Sequence, residues 1–153
     1  MIFAIDPGNT QSAYVIIDEN LKPIEFGKID NKDLLGKIYW TEWYSNDKCV
    51  IEMVASYGMP VGETVFDTVF WIGRFYEAVG NTPTERIYRK DVKMNLCHTM
   101  KAKDSNIRQA LIDRFGEVGT KKKPGWFYGF KADIWQAYAV GVTYHDIYLK
   151  VLI

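Results

Sequence analysis

Three acidic residues lie where a carboxylate is unexpected, and their positions point to chemistry. Asp6 ends the first apolar run of the chain, immediately before a Pro-Gly turn, and Glu52 interrupts the apolar run 49–54. Asp133 lies near the start of a C-terminal segment that is otherwise largely apolar. Ionised carboxylates are seldom fully buried unless they are paired or bind a metal ion. We therefore take Asp6, Glu52 and Asp133 as the candidate catalytic residues.

Asp6 and Glu52 would repel each other if their strands were neighbours in a sheet. A cation between them removes that repulsion, and Mg²⁺ or Mn²⁺ suits carboxylate oxygens. With Asp133 holding a second ion, two ions about 3.5–4 Å apart would activate water and stabilise the leaving oxygen in phosphodiester hydrolysis. The structural alternatives are a turn cap for Asp6, an ion pair for Glu52 and a helix N-terminal charge for Asp133. Each alternative is reasonable alone, whereas all three in one chain favour a metal site.

The hydrophobic pattern predicts five strands and four helices in a single domain over residues 1–153. The strands are expected at 1–6, 12–18, 23–29, 49–54 and 86–89, and the helices at 31–44, 62–79, 105–115 and 130–149. Tight turns join the first three strands, which predicts an antiparallel meander, and the run 49–54 is typical of a buried parallel strand. The predicted fold class is therefore α/β, with a mixed five-stranded sheet flanked by helices.

The composition is that of a globular domain, with 48% hydrophobic and 25% charged residues. No apolar run approaches the ~18 residues of a membrane span and the N-terminus lacks a signal-peptide pattern, so we expect a cytoplasmic protein. The formal net charge is zero, but residues 86–123 hold eleven Lys/Arg and four Asp/Glu, a local charge of +7. Such a basic segment favours a nucleic-acid partner; two solvated helical faces are the alternative.

The order of the acidic motifs resembles that of RuvC-type Holliday junction resolvases, members of the ribonuclease-H-like nuclease superfamily. The motifs that carry the resemblance are Ala4-Ile5-Asp6-Pro7-Gly8, Val50-Ile51-Glu52, Ile72-Gly73-Arg74, Lys101-Ala102-Lys103-Asp104, and Lys131-Ala132-Asp133 with Ala137-Tyr138-Ala139. They resemble, in turn, the family's opening strand, second acidic strand, glycine-containing helix, basic linker and final catalytic helix. The likeness runs from Met1 to about Tyr148. The small size is similar to phage-encoded members, which would act in the host cell's cytoplasm.

The resemblance implies a ribonuclease-H-like fold and a metal-dependent endodeoxyribonuclease that cleaves Holliday junctions and other branched DNA. It implies that Asp6, Glu52 and Asp133 bind two Mg²⁺ ions per site, with Mn²⁺ as a substitute, and that Lys103 assists at the scissile phosphate. The family commonly has a fourth acid three residues after the third; here that position is Gln136, whose neutral amide oxygen is a weaker ligand. A homodimer is also implied, because two symmetric nicks need two active sites.

Basic and aromatic residues are the predicted contacts to DNA. Phosphate contacts are expected at Lys90, Lys93, Lys101, Lys103, Arg108, Lys121, Lys122 and Lys123. Trp126 and Tyr128, which follow the last three lysines, would offer stacking surfaces, unless this segment is only a solvated loop. By resemblance, Tyr57 or Met59 would be the side chain that wedges into the junction. The helix 62–79 would form the dimer interface through its surplus aromatics, unless all of them are core.

Other function classes compete with this interpretation. A non-catalytic protein that binds branched DNA is favoured by Gln136 and opposed by the three acids. An actin-like ATPase needs two such domains and a second phosphate loop, which 153 residues do not hold. A dinucleotide-binding protein is excluded because no G-x-G-x-x-G follows a strand. Zinc binding by Cys49, Cys97, His98 and His145 is disfavoured, since adjacent ligands lack the usual spacing. The sequence does not distinguish four-way junctions from forks, flaps or RNA–DNA hybrids.

Overall fold

A mixed five-stranded sheet in the order β3-β2-β1-β4-β5 is the centre of this computed structural model, which describes residues 1–150. The strands are β1 (Ile2–Asp6), β2 (Gln11–Ile17), β3 (Pro23–Asp30), β4 (Lys48–Met53) and β5 (Thr84–Tyr88). β1, β2 and β3 pair antiparallel, whereas β4 pairs parallel with both β1 and β5. The predicted α/β class, with three antiparallel and then parallel strands, is confirmed.

In the described residues, five α-helices and a short π-helix surround the sheet. They are α1 (Asn31–Trp40), α2 (Glu63–Val79), α3 (Arg89–Cys97), α4 (Asp104–Phe115), α5 (Ile134–Tyr144) and the π-helix His145–Leu149. The predicted helices 31–44 and 130–149 are wrong at their ends. α1 stops at Trp40, after which the backbone is extended. α5 begins only at Ile134, because Ala132 has a left-handed backbone conformation (φ +49°) that no helix continues through.

α3 lies where the sequence pattern predicts no helix. Val92 is the one residue of this helix that is buried, so its apolar periodicity is weak. The predicted strand 86–89 therefore ends one residue early, and Arg89 opens the helix instead. Lys90 and Lys93 consequently lie in the first turns of a helix, next to the carboxyl end of β5.

Side chains of the sheet alternate between two cores. Phe3 and Ile5 of β1 pack with residues of α1 and α2 on one face, while Ile2 and Ala4 pack with α5 on the other. Every residue of α5 is buried, since the sheet covers one side of it and α3 and α4 cover another. Within residues 1–150, no helix is long and apolar enough to cross a membrane.

An aromatic cluster holds the segment before α5 against the sheet. The rings of Phe127, Phe130, Trp135 and Tyr138 have centroids 4.8 to 5.7 Å apart. Phe130 also meets Phe26 of β3 edge to face, at 4.7 Å. These contacts determine where α5 begins relative to β3, and they therefore position the residue that immediately precedes the helix.

Because α5 packs closely on the sheet, a methyl group added at Gly141 should lower the stability of the protein. A Cβ at Gly141 would lie 2.4 Å from Ile17 Cδ1 and 3.1 Å from the Ala4 Cβ, and both neighbours are buried. We expect Gly141→Ala to lower the free energy of unfolding by about 1–3 kcal/mol through overpacking. Urea denaturation measures the change.

Gly36 of α1 is the matched control, because a Cβ there meets nothing within 4 Å. Gly36→Ala should raise the free energy of unfolding by about 0.5–1 kcal/mol, since alanine loses less backbone entropy in a helix. Equal effects of the two substitutions would show that α5 does not pack as closely as described.

Candidate active site

Parallel pairing of β1 with β4 places Asp6 and Glu52 next to each other at the carboxyl ends of their strands. Ile5 is opposite Ile51, so the acids come next in the same register. Both acids lie on the sheet face that α5 covers, because the residues two positions before them belong to that core. Asp133 immediately precedes α5 and is close enough to act on the charge of Asp6. The structure thus brings the three candidate acids to one edge of the sheet.

The electrostatics of the pair are those of crowded, buried acids. Burial raises the pKa of Asp6 to about 8, and the negative charges of Glu52 and then Asp133 act in the same direction. Burial also raises the pKa of Glu52, while the neighbouring Arg89 acts to lower it. Near neutral pH, the protein without a bound cation therefore keeps a proton on Asp6.

Arg89 is a member of the site that our sequence analysis missed. Its Nε and Nη2 lie 3.3 and 3.4 Å from the two carboxylate oxygens of Glu52, and its Nη1 donates to Asp104 Oδ1 at 2.6 Å. Arg89 follows β5, whose carboxyl end lies at the same edge as that of β4. The sequence could have indicated Arg89, because a fifth strand that pairs parallel with the fourth places the residue after it next to Glu52.

Lys28 pairs with the third acid. Its Nζ lies 2.7 Å from Asp133 Oδ2, and both side chains are roughly half exposed. Lys28 is opposite Ala13 of β2, which is opposite Asp6, so the lysine lies in the same row across the sheet. An exposed ion pair of this kind contributes only about 0–1 kcal/mol, so Asp133 is readily available to another cation.

The oxygen ligands at this edge fit a hard divalent cation that keeps several of its waters. Asp6 and Glu52 supply adjacent carboxylates, and Asp133, immediately before the first residue of α5, supplies a third. Among residues 1–150, no three His, Cys, Asp or Glu side chains are already gathered closely enough to hold a metal ion. At this edge, Arg89 and Lys28 form ion pairs with two of the three acids. A cation would have to compete with both.

Gln136 is the residue that the sequence analysis considers as a further, neutral ligand. It lies one helical turn after Asp133 and is 4% exposed, and its Oε1 is buried without a hydrogen-bond partner in the described residues. Buried polar atoms nearly always have a partner, so an orphaned amide oxygen calls for a water molecule, an ion or a ligand. This oxygen occupies the sequence position at which the resemblance expects a fourth carboxylate.

A cleft of about 300 Å³ opens beside the acid pair. Tyr57, Arg89, Lys90, Lys93 and Met100 line this α3 cleft, and Arg89 is the residue that the cleft shares with the acid pair. Tyr57 is 64% exposed and lies on the loop that follows β4. The other predicted wedge residue, Met59, is on the same loop and is 70% exposed.

The predicted phosphate contacts before and on α4 lie near the same edge. Lys103 is exposed and directly precedes Asp104, which binds Arg89. Lys101 is exposed on the loop between α3 and α4. Arg108 is also exposed, and its guanidinium lies 5.6 Å from the ring centre of Trp135, two residues after Asp133. Lys103 and Arg108 are therefore linked to the site through Asp104 and Trp135.

The remaining predicted contacts, Lys121–Lys123, lie on an exposed turn that leads to the opposite end of the sheet. Trp126, which follows the turn, stacks on Phe115 at 5.4 Å, and its Nε1 donates to the hydroxyl of Tyr138. That hydroxyl donates to the carbonyl of Leu21, in the turn between β2 and β3. Trp126 is therefore not the free stacking surface that the sequence analysis considered, because its ring and its N–H are engaged within the fold.

No protein-family model matches this chain, and no curated protein matches it in sequence. Solved structures, in contrast, give the class of fold, which is ribonuclease-H-like. Two of these neighbours are structures of RuvC from Thermus thermophilus, each with a TM-score of 0.64. One is 17% identical and covers 97% of this chain and 95% of its own. The other, RuvC in complex with a Holliday junction substrate, is 16% identical and covers 97% and 94%. This chain therefore has the RuvC fold.

The buried proton on Asp6 predicts a pH-dependent stability. In EDTA, native Asp6 keeps its proton up to about pH 8, whereas the unfolded chain loses it near 3.8. The native state binds more protons than the unfolded state between these values, so the free energy of unfolding decreases as the pH rises through this window. Asp6→Asn removes the penalty and should stabilise the protein more at pH 8.5 than at pH 5.

Urea denaturation at the two pH values measures this difference. Asp113→Asn is the control, because Asp113 is exposed on α4, outside the site, and we expect it to change little at either pH. A gain from Asp6→Asn that is the same at pH 5 and pH 8.5 would contradict the described burial of charge.

Arg89 should stabilise the metal-free protein and compete with a divalent ion. We expect Arg89→Gln to lower the free energy of unfolding in EDTA by about 1–3 kcal/mol, because the buried Glu52 carboxylate loses its donors. The same change should raise the affinity for Mn²⁺, measured by calorimetry, since one competing positive charge is removed. Lys90→Gln removes an equal charge from the next, exposed side chain and should affect both quantities much less. A decrease in Mn²⁺ affinity would contradict the competition.

Proposed function

We propose that this protein is a metal-dependent, structure-selective endodeoxyribonuclease that cleaves four-way junctions and other branched DNA by phosphodiester hydrolysis. The observation that carries the proposal is the side-by-side placement of Asp6, which is partly buried, and Glu52, which is buried, at the carboxyl edge of a RuvC-like sheet, with Asp133 at the start of α5. Two adjacent carboxylates with little access to water destabilise the fold, so packing alone does not account for them. A site that binds divalent cations does need them.

Each group of the site has a defined part in this reaction. Asp6 and Glu52 would bind one Mg²⁺ or Mn²⁺ ion, and Asp6, Asp133 and the Gln136 oxygen a second. When bound, such a pair of ions activates water and stabilises the departing oxygen. Lys103, exposed beside Asp104, would neutralise charge at the scissile phosphate. The protein's own contribution is to hold the acids on rigid strand ends, so that little reorganisation is needed during the reaction.

DNA would bind over the edge of the sheet at which the acids lie. Lys90 and Lys93 line the cleft that includes Arg89, and Lys101 and Arg108 lie before and on α4. These four cations would contact phosphates without reading sequence. The turn 121–123 lies away from it and would contact a second arm of a branched substrate. Met59 or Tyr57, both exposed on the loop after β4, would enter the branch point.

A homodimer is the assembly that we propose, because cutting both strands symmetrically requires two sites. α2 offers a surface for it: Phe66 and Phe70 are 63% and 62% exposed, and Gly73 lies between two apolar grooves on the same helix. Residues Ile72 and Phe75 face the core instead, so the helix separates an inner from an outer apolar face. Phage origin and action in the host cell's cytoplasm are parts of the same proposal.

A second candidate is a protein that binds branched DNA without cutting it. The observation that favours it is that Arg89 and Lys28 already neutralise Glu52 and Asp133, and that an amide, Gln136, replaces a fourth acid. A fold that kept the basic edge and lost the second ion would bind junctions and leave them intact.

Cleavage of a labelled synthetic four-way junction distinguishes the two candidates. With Mg²⁺, the wild-type protein should make paired nicks near the branch point, and it should leave linear duplex of the same sequence uncut. EDTA should abolish cutting. Glu52→Gln and Asp6→Asn should each reduce the rate at least about a hundredfold, because metal binding contributes several kcal/mol to transition-state stabilisation. Asp113→Asn, an equal change of charge outside the site, should cut at the wild-type rate.

Two results would contradict the leading proposal. A Glu52→Gln protein that cuts at full rate would show that the acid pair is not the catalytic site. Junction binding without nicks in either Mg²⁺ or Mn²⁺ would establish the second candidate instead. Forks and flaps, tested in the same assay, define the range of branched substrates.

A further inference from the structure

We propose that the α3 cleft binds a single unstacked nucleotide of the branch point and so determines which nucleotide lies beside the cut. This inference rests on the proposed function and adds a binding site to it. The cleft is lined by Tyr57, Arg89, Lys90, Lys93 and Met100 and has a volume of about 300 Å³. That volume is at the lower end of the range for small-ligand sites, and it suits one nucleoside rather than a base pair.

The wall of the cleft offers surfaces on which a base can stack. Tyr57 is exposed and has a left-handed backbone conformation (φ +52°), which a non-glycine residue adopts at a cost. Strain of this kind is concentrated at ligand-binding sites, where it fixes the direction of a side chain. Met100 also lines the cleft and lies on the loop after α3. Its side chain is 53% exposed and offers a polarisable thioether. Neither side chain contributes to either core.

Cations of the cleft are placed for the phosphates on either side of such a base. Lys90 and Lys93 have no carboxylate within ion-pair distance among residues 1–150, so their charges are available. Arg89, in contrast, is engaged by Glu52 and Asp104. An aromatic ring together with unpaired cations is the combination that binds single-stranded nucleic acid. An acidic peptide would use the lysines but would have no need of an exposed aromatic wall.

The cleft adjoins the acid pair, so a nucleotide bound in it would lie next to the proposed cleavage site. Arg89 contacts Glu52 and also lines the cleft, so a nucleotide bound there has its backbone within reach of the acid pair. Unstacking is least costly at a branch point, where pairing is already interrupted, and the site would therefore favour branched over linear DNA. In this arrangement Tyr57 lines the nucleotide site, and Met59, farther along the loop, is left as the wedge.

Photo-crosslinking tests the proposal without requiring cleavage. Four-way junctions that carry one 5-iodouracil at each branch-point position in turn are irradiated with the protein in EDTA, and crosslinked peptides are identified by mass spectrometry. We expect one branch position to crosslink to Tyr57 or Met100, and the same base in linear duplex to give no such product. Tyr57→Ala should reduce that product and weaken junction binding about tenfold, the effect of losing one stacked base.

Two variants control the interpretation. Tyr57→Phe keeps the ring and should retain junction affinity, whereas Tyr44→Ala removes a similarly exposed tyrosine from the loop before β4, at the other end of that strand, and should have no effect. Selective junction binding with crosslinks only outside the cleft, for example to Tyr128, would overturn the nucleotide site and leave the proposed function intact. Equal binding of junction and duplex, with no crosslink in the cleft, would overturn both.

Discussion

Two adjacent carboxylates with little access to water, Glu52 buried and Asp6 partly buried, are the constraint on which the rest of this structure depends. Asp6 and Glu52 lie at the ends of adjacent parallel strands, where burial and mutual repulsion raise the pKa of Asp6 to about 8. Two features reduce the electrostatic repulsion between the two acids: Asp6 takes up a proton, and Arg89 neutralises Glu52. Arg89 reaches Glu52 because β5 pairs parallel with β4 and α3 begins directly after β5.

α5 has a comparable role for the third acid. It is buried on every side, and an aromatic cluster around Phe127 and Phe130 determines where it begins. Gly141 allows its far half to lie directly on β1 and β2. Because both halves of α5 are packed in this way, the backbone of Asp133 has a fixed position relative to the sheet. Its exposed side chain can still exchange Lys28 for another cation. Rigid support and an exchangeable first contact are what a metal ligand requires.

The sequence was sufficient for the sheet and for the meeting of Asp6, Glu52 and Asp133. A meander followed by apolar runs leaves few topologies, and parallel strands bring their carboxyl ends to one edge. Arg89 and Lys28 were missed because their roles depend on the pairing of β5 and on the register of β3, which residue types do not encode locally. α3 was missed because its single buried residue gives no helical period. Trp126 reads as a surface aromatic, and only the position of Tyr138 and Leu21 shows that it is engaged.

Arg89 also connects two parts of the molecule for which we propose different ligands. One guanidinium contacts Glu52, in the acid pair, and Asp104, the first residue of α4, next to the basic loop that includes Lys101 and Lys103. A cation that takes Glu52 from Arg89 leaves the guanidinium to Asp104 alone and changes the charge beside that loop. Under the proposed function, thermodynamic reciprocity would require that DNA bound to the loop change the affinity of the acids for a cation by the same factor. Metal loading and substrate binding would then be a single coupled equilibrium rather than two successive events.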